Sequence, residues 1–507
     1  MTKIFFTLLL GCCIQGYAQN VGIGVGAPTN TLHIAAIADP LRIEGLQSGA
    51  DTDSVVTVNT AGVIRKRSNA FTITLTGWSV TGNSGTNNAT DFIGTTDSKP
   101  FLIRTNNQPS GLIDPSPSSR NNAVGNRTFS ITATGTGNNA FGYQALSSVT
   151  TGNGNTAIGD SAAFNVTTGS ENVAVGSRAL VLPGAGGGNV AIGASALKNN
   201  LASENIAIGK DAATGNTGGT SILAIGTSAL LSNKISSTQI AIGNNSLQQI
   251  TGGQDNIAVG YNAGLSTTSA SYNVLLGHYS LSSTTGANRN TVIGHNAGLA
   301  YTGTGNTENT FIGYQSALSQ TGGNGNTYVG AGVDIAGNPS VNNSSALGQN
   351  VQITASNQVR IGNINITSIG GQVGWTTFSD ARIKKNVLEN VPGLTFIEKL
   401  RPVTYNYDVQ SLQKIQGGKL PGVDANAGFG NTRFTGLLAQ EVEAAATAIG
   451  YHFSGVDKPA NDHTAYGLRY AEFVVPLIKA VQEMKQLIDA QQQEIEALKL
   501  KMNELNK

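Results

Sequence analysis

The chain has 507 residues, enough for several domains. Its 30 basic and 29 acidic residues leave a formal net charge of +1, which excludes a bulk nucleic-acid or acidic-substrate binder. Glycine is abundant at 65 residues and proline scarce at 13, yet 39% of the chain is hydrophobic; with the strict period of its middle section, this excludes a disordered glycine-rich chain.

Residues 1–18 read as a secretory signal peptide. Lys3 supplies the positive start, and Ile4 to Leu10, extending toward Ile14, is a short apolar run. Gly16-Tyr17-Ala18 places small residues where cleavage after Ala18 frees Gln19. The run is too short to span a bilayer. Leu9-Leu10-Gly11-Cys12 also fits a lipoprotein processing site, disfavoured because so few residues precede the cysteine. Both cysteines, Cys12 and Cys13, lie here, so a mature chain starting at Gln19 has no disulfide and no cysteine-based metal site. The expected location is outside the cytoplasm: secreted, at the cell surface or on the outer membrane. No later stretch reads as an integral membrane span.

Residues 19–120 read as a β-rich N-terminal region that serves for attachment. Asn20-Val21-Gly22-Ile23-Gly24 and Thr31-Leu32-His33-Ile34 resemble the N-terminal region of exported fibre-like proteins. Trp78 to Gly94 reads as strands with Gly/Asn turns.

From 121 to 370 an internal repeat dominates. Its core is Asn-x-Ala-(Ile/Val)-Gly, as in Asn155-Thr156-Ala157-Ile158-Gly159 and Asn256-Ile257-Ala258-Val259-Gly260. The glycines recur mostly every 17 residues from Gly125 to Gly362. A fixed short period is the mark of a solenoid, and this one is too short for paired helices. The β-branched residues before each glycine favour strand. The glycine permits a sharp bend, the alanine suits the inside of a tight coil, and the asparagine can stack between rungs and bond its neighbours. Charge agrees: 14 charged residues lie in 121–370 against 30 in 379–507. A rung of this size encloses little core, so association of identical chains is the expected remedy.

The pattern Asn189-Val190-Ala191-Ile192-Gly193-Ala194-Ser195-Ala196-Leu197 resembles the head repeats of YadA-type trimeric adhesins. The resemblance implies a left-handed parallel β-roll in each chain, with three rolls side by side in a homotrimer. No counterpart of that family's membrane-anchoring barrel is expected from the sequence.

Composition changes after Gly374. Ser379-Asp380-Ala381-Arg382-Ile383-Lys384 opens a charged α/β region, taken as a domain over 379–480. Leu394 to Leu400 reads as a short helix ended by Pro402, and Val403 to Tyr407 as a strand. Gly436 to Glu443 runs from strand into helix. Tyr470 to Glu483 is helical, with Pro476 in its first turn or at a kink. In 481–507, Val481, Met484, Ile488, Gln491, Ile495, Leu498, Met502 and Leu505 alternate three and four apart, as a coiled coil requires. The alternative is an amphipathic helix lying on its own domain.

Taken together, the Ser379–Lys384 run, Gly436-Leu437-Leu438-Ala439-Gln440-Glu441-Val442-Glu443 and the Tyr470–Glu483 run resemble the intramolecular chaperone of phage endosialidases and tailspikes. That module is a self-cleaving serine–lysine peptidase. The resemblance implies that the module trimerises the chain and then cuts between Phe378 and Ser379. Ser379 would be the nucleophile and Lys384 the general base, with no cofactor. A serine hydroxyl needs such a base, and lysine can serve when burial or neighbouring cations such as Arg382 and Lys385 favour its neutral form. Read without the later motifs, Ser379-Asp380 caps a turn and the cations form a solvated face.

Other signals are discounted. Gly22-x-Gly24-x-Gly26 and Gly152-x-Gly154 lack the strand–loop–helix setting of a phosphate loop. His278 and His295 lie one rung apart and read as an exposed ladder rather than a metal site. Asp160, Glu171, Asp211 and Asp255 are scattered, not paired for glycan cleavage. The expectation is a mainly β chain, a parallel β-roll or β-solenoid stalk (homotrimeric) with a C-terminal α/β chaperone domain ending in a coiled coil. Its function is that of an exported fibre or adhesin, binding a surface glycan or a host or cell-surface ligand. The alternatives are a tailspike-like glycan-degrading β-helix enzyme and a cleavage-inactive fibre with a trimerisation module only.

Overall fold

A computed structural model describes four short strands within residues 21–67, then residues 79, 82–87, 89–182, 184, 186–416 and 430–506. The signal-peptide reading lies outside the described residues. The chain divides into two units, 1–93 and 94–507.

In the first unit, Val21–Ile23 pairs in parallel with Leu32–Ile34, and Val55–Val58 pairs antiparallel with Ile64–Arg67. The strands expected from Trp78 onward are not found: the described residues of 79–94 are bends and turns. Side chains there bond the nearby backbone instead. Ser79 N–H donates to Asn83 Oδ1 at 2.7 Å and Asn87 N–H to Asp91 Oδ2 at 2.9 Å. Such local bonds compete with strand ladders.

The second unit opens with an antiparallel hairpin, Phe101–Thr105 and Gln108–Ile113, whose second strand pairs antiparallel with Asn122–Val124. From there the chain is a parallel β-solenoid of about 14 turns. Each turn contributes a three-residue strand, and successive strands pair in register, alanine on alanine: Ala140 on Ala157, Ala174 on Ala191, Ala224 on Ala241. At a rung spacing of about 4.8 Å the stack extends roughly 65–70 Å.

Three residue types make the coil. The central strand residue points inward and is buried, from Ala123 to Ala258 always alanine. Two of the larger inward residues sit where a glycine clears space. Leu275 is one, and the preceding turn holds Gly264, where an added Cβ would lie 2.9 Å from Leu275 Cδ1. The glycine after each strand, from Gly125 to Gly348, has φ between 124° and 144°. A Cβ at Gly226 would sit 2.6 Å from the carbonyl carbon and oxygen of Gly243 one rung on, so the close approach alone excludes a side chain.

The asparagine forms the ladder expected of it. Asn138, Asn155, Asn172 and Asn189 each donate from Nδ2 to the Oδ1 of the asparagine one rung earlier, at 3.0–3.2 Å. The same Oδ1 atoms accept the backbone N–H of the next asparagine, and all of these side chains are buried. Ile222 interrupts the column. Beside the break a second ladder carries the load: Asn216 donates to Asn200 Oδ1 at 2.7 Å and Asn233 to Asn216 Oδ1 at 3.3 Å, while Asn205 bridges the two at 3.1 Å. The first ladder resumes at Gln239 and runs through Asn256, Asn273 and Asn290.

Each turn also places non-glycine residues in the left-handed region, for example Arg178 and Leu180 at φ 57° and 53°. This conformation is unfavourable for a lone residue by roughly 1–2 kcal/mol. Here it is held by ladder bonds such as Arg178 N–H to Asp160 O and Leu180 N–H to Ala196 O.

The C-terminal module is mixed. Helix α1 (Leu394–Ile397) is shorter than the expected Leu394–Leu400. Val403–Tyr405 pairs antiparallel with Phe434–Gly436. Helix α2 (Val409–Ile415), capped by Asp408, is not among the expected elements, while α3 (Ala439–Ala448) follows the strand as the Gly436–Glu443 run predicts. A 3-10 turn at Tyr470–Phe473 leads into α4 (Val474–Leu505), whose first turn holds Pro476. Phe453 meets Phe396 at a tilt and Phe473 edge to face, with ring centroids 5.0 and 4.8 Å apart, and these rings pack with Val442 in the module's core. A loop of the module meets the last rungs, where Asn461 Nδ2 donates to Thr354 O at 2.8 Å.

Candidate functional site

The run beginning at Ser379 is built as one tight turn. Asp380 caps the 3-10 helix Ala381–Ile383 by accepting the Arg382 N–H at 2.9 Å. The Arg382 guanidinium grips the same carboxylate through Nε and Nη2, the latter at 2.5 Å. These bonds, side chain first and backbone second, hold the Asp380 carboxyl below its ordinary range. One turn of 3-10 helix then brings Lys384 back over the start of the run, and its Nζ lies 2.8 Å from Ser379 Oγ. Asp380 is committed to Arg382, so Lys384 meets the serine hydroxyl rather than that carboxylate.

The turn is bare. Residues 367–390 are exposed throughout, with Trp375 at 89% and Phe378 at 91% exposure. The structure therefore brings Ser379 and Lys384 together but leaves them apart from the other two runs singled out in the sequence. Those two do meet: Tyr470 Oη accepts the Leu437 N–H at 2.9 Å, and Val442 and Phe473 share the core. Sequence reasoning did not assign Asp380 and Arg382. The signal was present, because an aspartate two residues before an arginine at a turn is an Asx cap with its own counterion. It also missed Glu483 of α4, whose carboxylate accepts the Leu394 N–H at 2.7 Å and caps α1, which has no cap of its own.

His278 and His295 stack with ring centroids 6.1 Å apart, flanked by Tyr261 and Tyr314. They form an exposed ladder. Among the described residues no group of three or more His, Cys, Asp or Glu side chains converges as a metal site would require. No described helix is long and apolar enough to cross a membrane.

Two apolar surfaces remain uncovered in the single chain. The strand residue before each glycine points outward, and Val124, Phe141, Ile158, Ile192, Ile208 and Leu347 of this column are exposed. On α4, Val481, Met484, Ile488, Ile495, Leu498, Met502 and Leu505 are exposed along one helix.

Residues 379–451 match the Peptidase_S74 family, described as chaperone of endosialidase. No curated protein and no solved structure matches the chain.

Proposed function

We propose that this chain is an exported, fibre-like structural protein of tail-fibre or tailspike type. Its C-terminal module joins three copies and then cuts itself away between Phe378 and Ser379. The observation that carries the reading is the 2.8 Å contact between Lys384 Nζ and Ser379 Oγ, inside a segment matching a chaperone family. Ser379 is the nucleophile and Lys384 its base. The act is a single self-directed cut, and no cofactor enters it.

Two further features support association. A rung centred on alanine buries little within one chain, while its outward column of Ile, Val and Leu runs along the stack. Packing three such faces together, as in the YadA-type heads the repeat resembles, removes that surface from water at about 25 cal/mol per Å². The apolar stripe of α4 has coiled-coil spacing and is exposed from Val481 onward. Assembly precedes the cut on this reading. Lysine acts as a base when its surroundings are dry, and the turn is exposed until other copies cover it.

Intact mass of the purified chain tests the reading. A product beginning at Ser379, absent from Ser379→Ala, supports it. A stable uncut monomer for the wild type overturns it.

A further inference from the structure

We infer that the aromatic ladder on the rod, from Tyr261 to Tyr314, binds a neutral oligosaccharide. Its rings form one continuous strip. His278 lies 6.3 Å from Tyr261 and 6.1 Å from His295, and His295 lies 5.7 Å from Tyr314 at an interplanar angle of 23°. Tyr279 leans on both Tyr261 and His295, at 5.4 and 6.4 Å. Tyr261, His278, His295 and Tyr314 each follow the glycine of their turn and are exposed, while Tyr279 is half-buried. At a rung spacing of about 4.8 Å the strip is about 14 Å long, enough to meet consecutive sugar units rather than one. The backbone holds it ready. Tyr279 N–H donates to Tyr261 O, Asn296 N–H to His278 O and Gln315 N–H to His295 O, each at 2.9 Å. A surface fixed in this way loses little freedom when a ligand lands on it.

Position and charge select the occupant. In earlier turns the same place after the glycine holds Asp160, Ser177, Lys210, Thr227 and Asn244, all exposed. A column that carries an aspartate and a lysine suits a solvent face, not the charge-poor centre of a seam between copies. Between Asn256 and Val333 the only Asp, Glu, Lys or Arg residues are Arg289 and Glu308, and these pair with each other at 2.9 Å. A charged ligand therefore finds no counterion along the strip. A sugar offers C–H faces to the electron-rich faces of the rings. Its hydroxyls suit the phenols and the half-buried amides of Asn296 and Gln315, next to His295 and Tyr314. A wholly apolar partner would cover those amides without bonding them, at a cost. Tyr143 is the other aromatic residue of this column, and it stands alone between Asn126 and Asp160.

The test titrates the full chain with linear neutral oligosaccharides of hexose and of N-acetylhexosamine units, and with sialylated ones as the charged control. Ser379→Ala chains are used, so the outcome is independent of the proposed cut. At least one neutral series should bind by calorimetry, and more tightly than the sialylated control. His295→Ala and Tyr314→Ala should each weaken that binding by about tenfold or more, with thermal midpoint and sedimentation unchanged. Tyr143→Ala should leave it as it is. Failure of every neutral series to bind overturns the assignment, as does tighter binding of the sialylated control. Undiminished binding by a variant carrying both His295→Ala and Tyr314→Ala overturns it too. Loss of oligomers in that variant makes the ladder a seam between copies and overturns it equally.

Discussion

Between Asn122 and Ile361 the chain satisfies most of its polar groups by repetition, asparagines and backbone amides bonding partners one rung away. From Ser379 onward it does so by individual pairings that occur once: Asp380 with Arg382, Glu441 with Arg401, Glu443 with Lys458, Glu483 with the start of α1. A repeated bond is tolerant of charge-poor sequence because neutral amides suffice, which is why the rod needs few ions. A pairing used once must be specified by charge or shape. The rod is thus strict about backbone and the module strict about side chains.

The largest effect expected from that contrast lies in the module. Lys384→Met removes the proposed base while keeping the stem, and the proposed cut should slow by about 10²-fold or more. Densitometry of timed denaturing gels reads this directly, and an unchanged rate would place the base elsewhere. In the rod, Gly226→Ala forces a Cβ against the Gly243 carbonyl and should cost about 3 kcal/mol or more, seen as a lowered thermal midpoint or failure to fold. Unaltered melting would break the claim that backbone approach sets the coil. Asn172→Ala orphans the backbone N–H of Asn189, whose Nδ2 keeps its bonds to Gly186 O and Ala202 O, at a cost of about 1–3 kcal/mol by denaturant titration. The same change at exposed Asn153 should cost less than half as much. Ile488→Gln should weaken association by about 1–3 kcal/mol, measured by sedimentation against concentration.

The smallest expected effect is one of pH, and its sign differs between the regions. Bonds to Lys458 and then Tyr466 hold Glu443 below its usual range. Its contribution is present above the ordinary carboxylate range and is lost as pH falls through the lowered value. Burial raises Asp334 in the rod, against bonds from Ile335 and Ser319. That contribution is complete below the ordinary range and is lost as pH rises through the raised value. Asp334→Asn should therefore stabilise the rod at neutral pH and lose its advantage in acid, while acid loosens the module. Hydrogen exchange on the two regions at pH 7 and at about pH 4 separates the trends.

Much of the rod was legible because its causes are periodic. Alanine inward, glycine at the bend and asparagine in a ladder each follow from one residue recurring at one interval. The paired larger-and-smaller exchange at Leu275 and Gly264 was not, because it links different positions on successive turns. Nor were the left-handed residues such as Arg178 and Leu180, since nothing about an arginine or a leucine announces that backbone. The Gly/Asn-rich stretch after Trp78 misled in the other direction, where polar side chains bonded locally instead of punctuating strands. In the module the end of α1 before Pro402 and the strand-to-helix change into α3 were legible, whereas α2, capped by Asp408, was not foreseen. Nor was Glu483 reaching Leu394, for a contact spanning so much chain leaves no local mark.

The hairpin Phe101–Thr105/Gln108–Ile113 has a consequence for how long such a fibre can become. Stacks of parallel strands are natural seeds for end-to-end polymers, because each bare terminus offers the next molecule the same docking direction. Here the chain doubles back at one terminus, reversing that direction, and a bulge between Ile103 and Arg104 roughens the outer strand. Head-to-tail stacking through that end is therefore disfavoured, which ties the length of the rod to the number of encoded rungs.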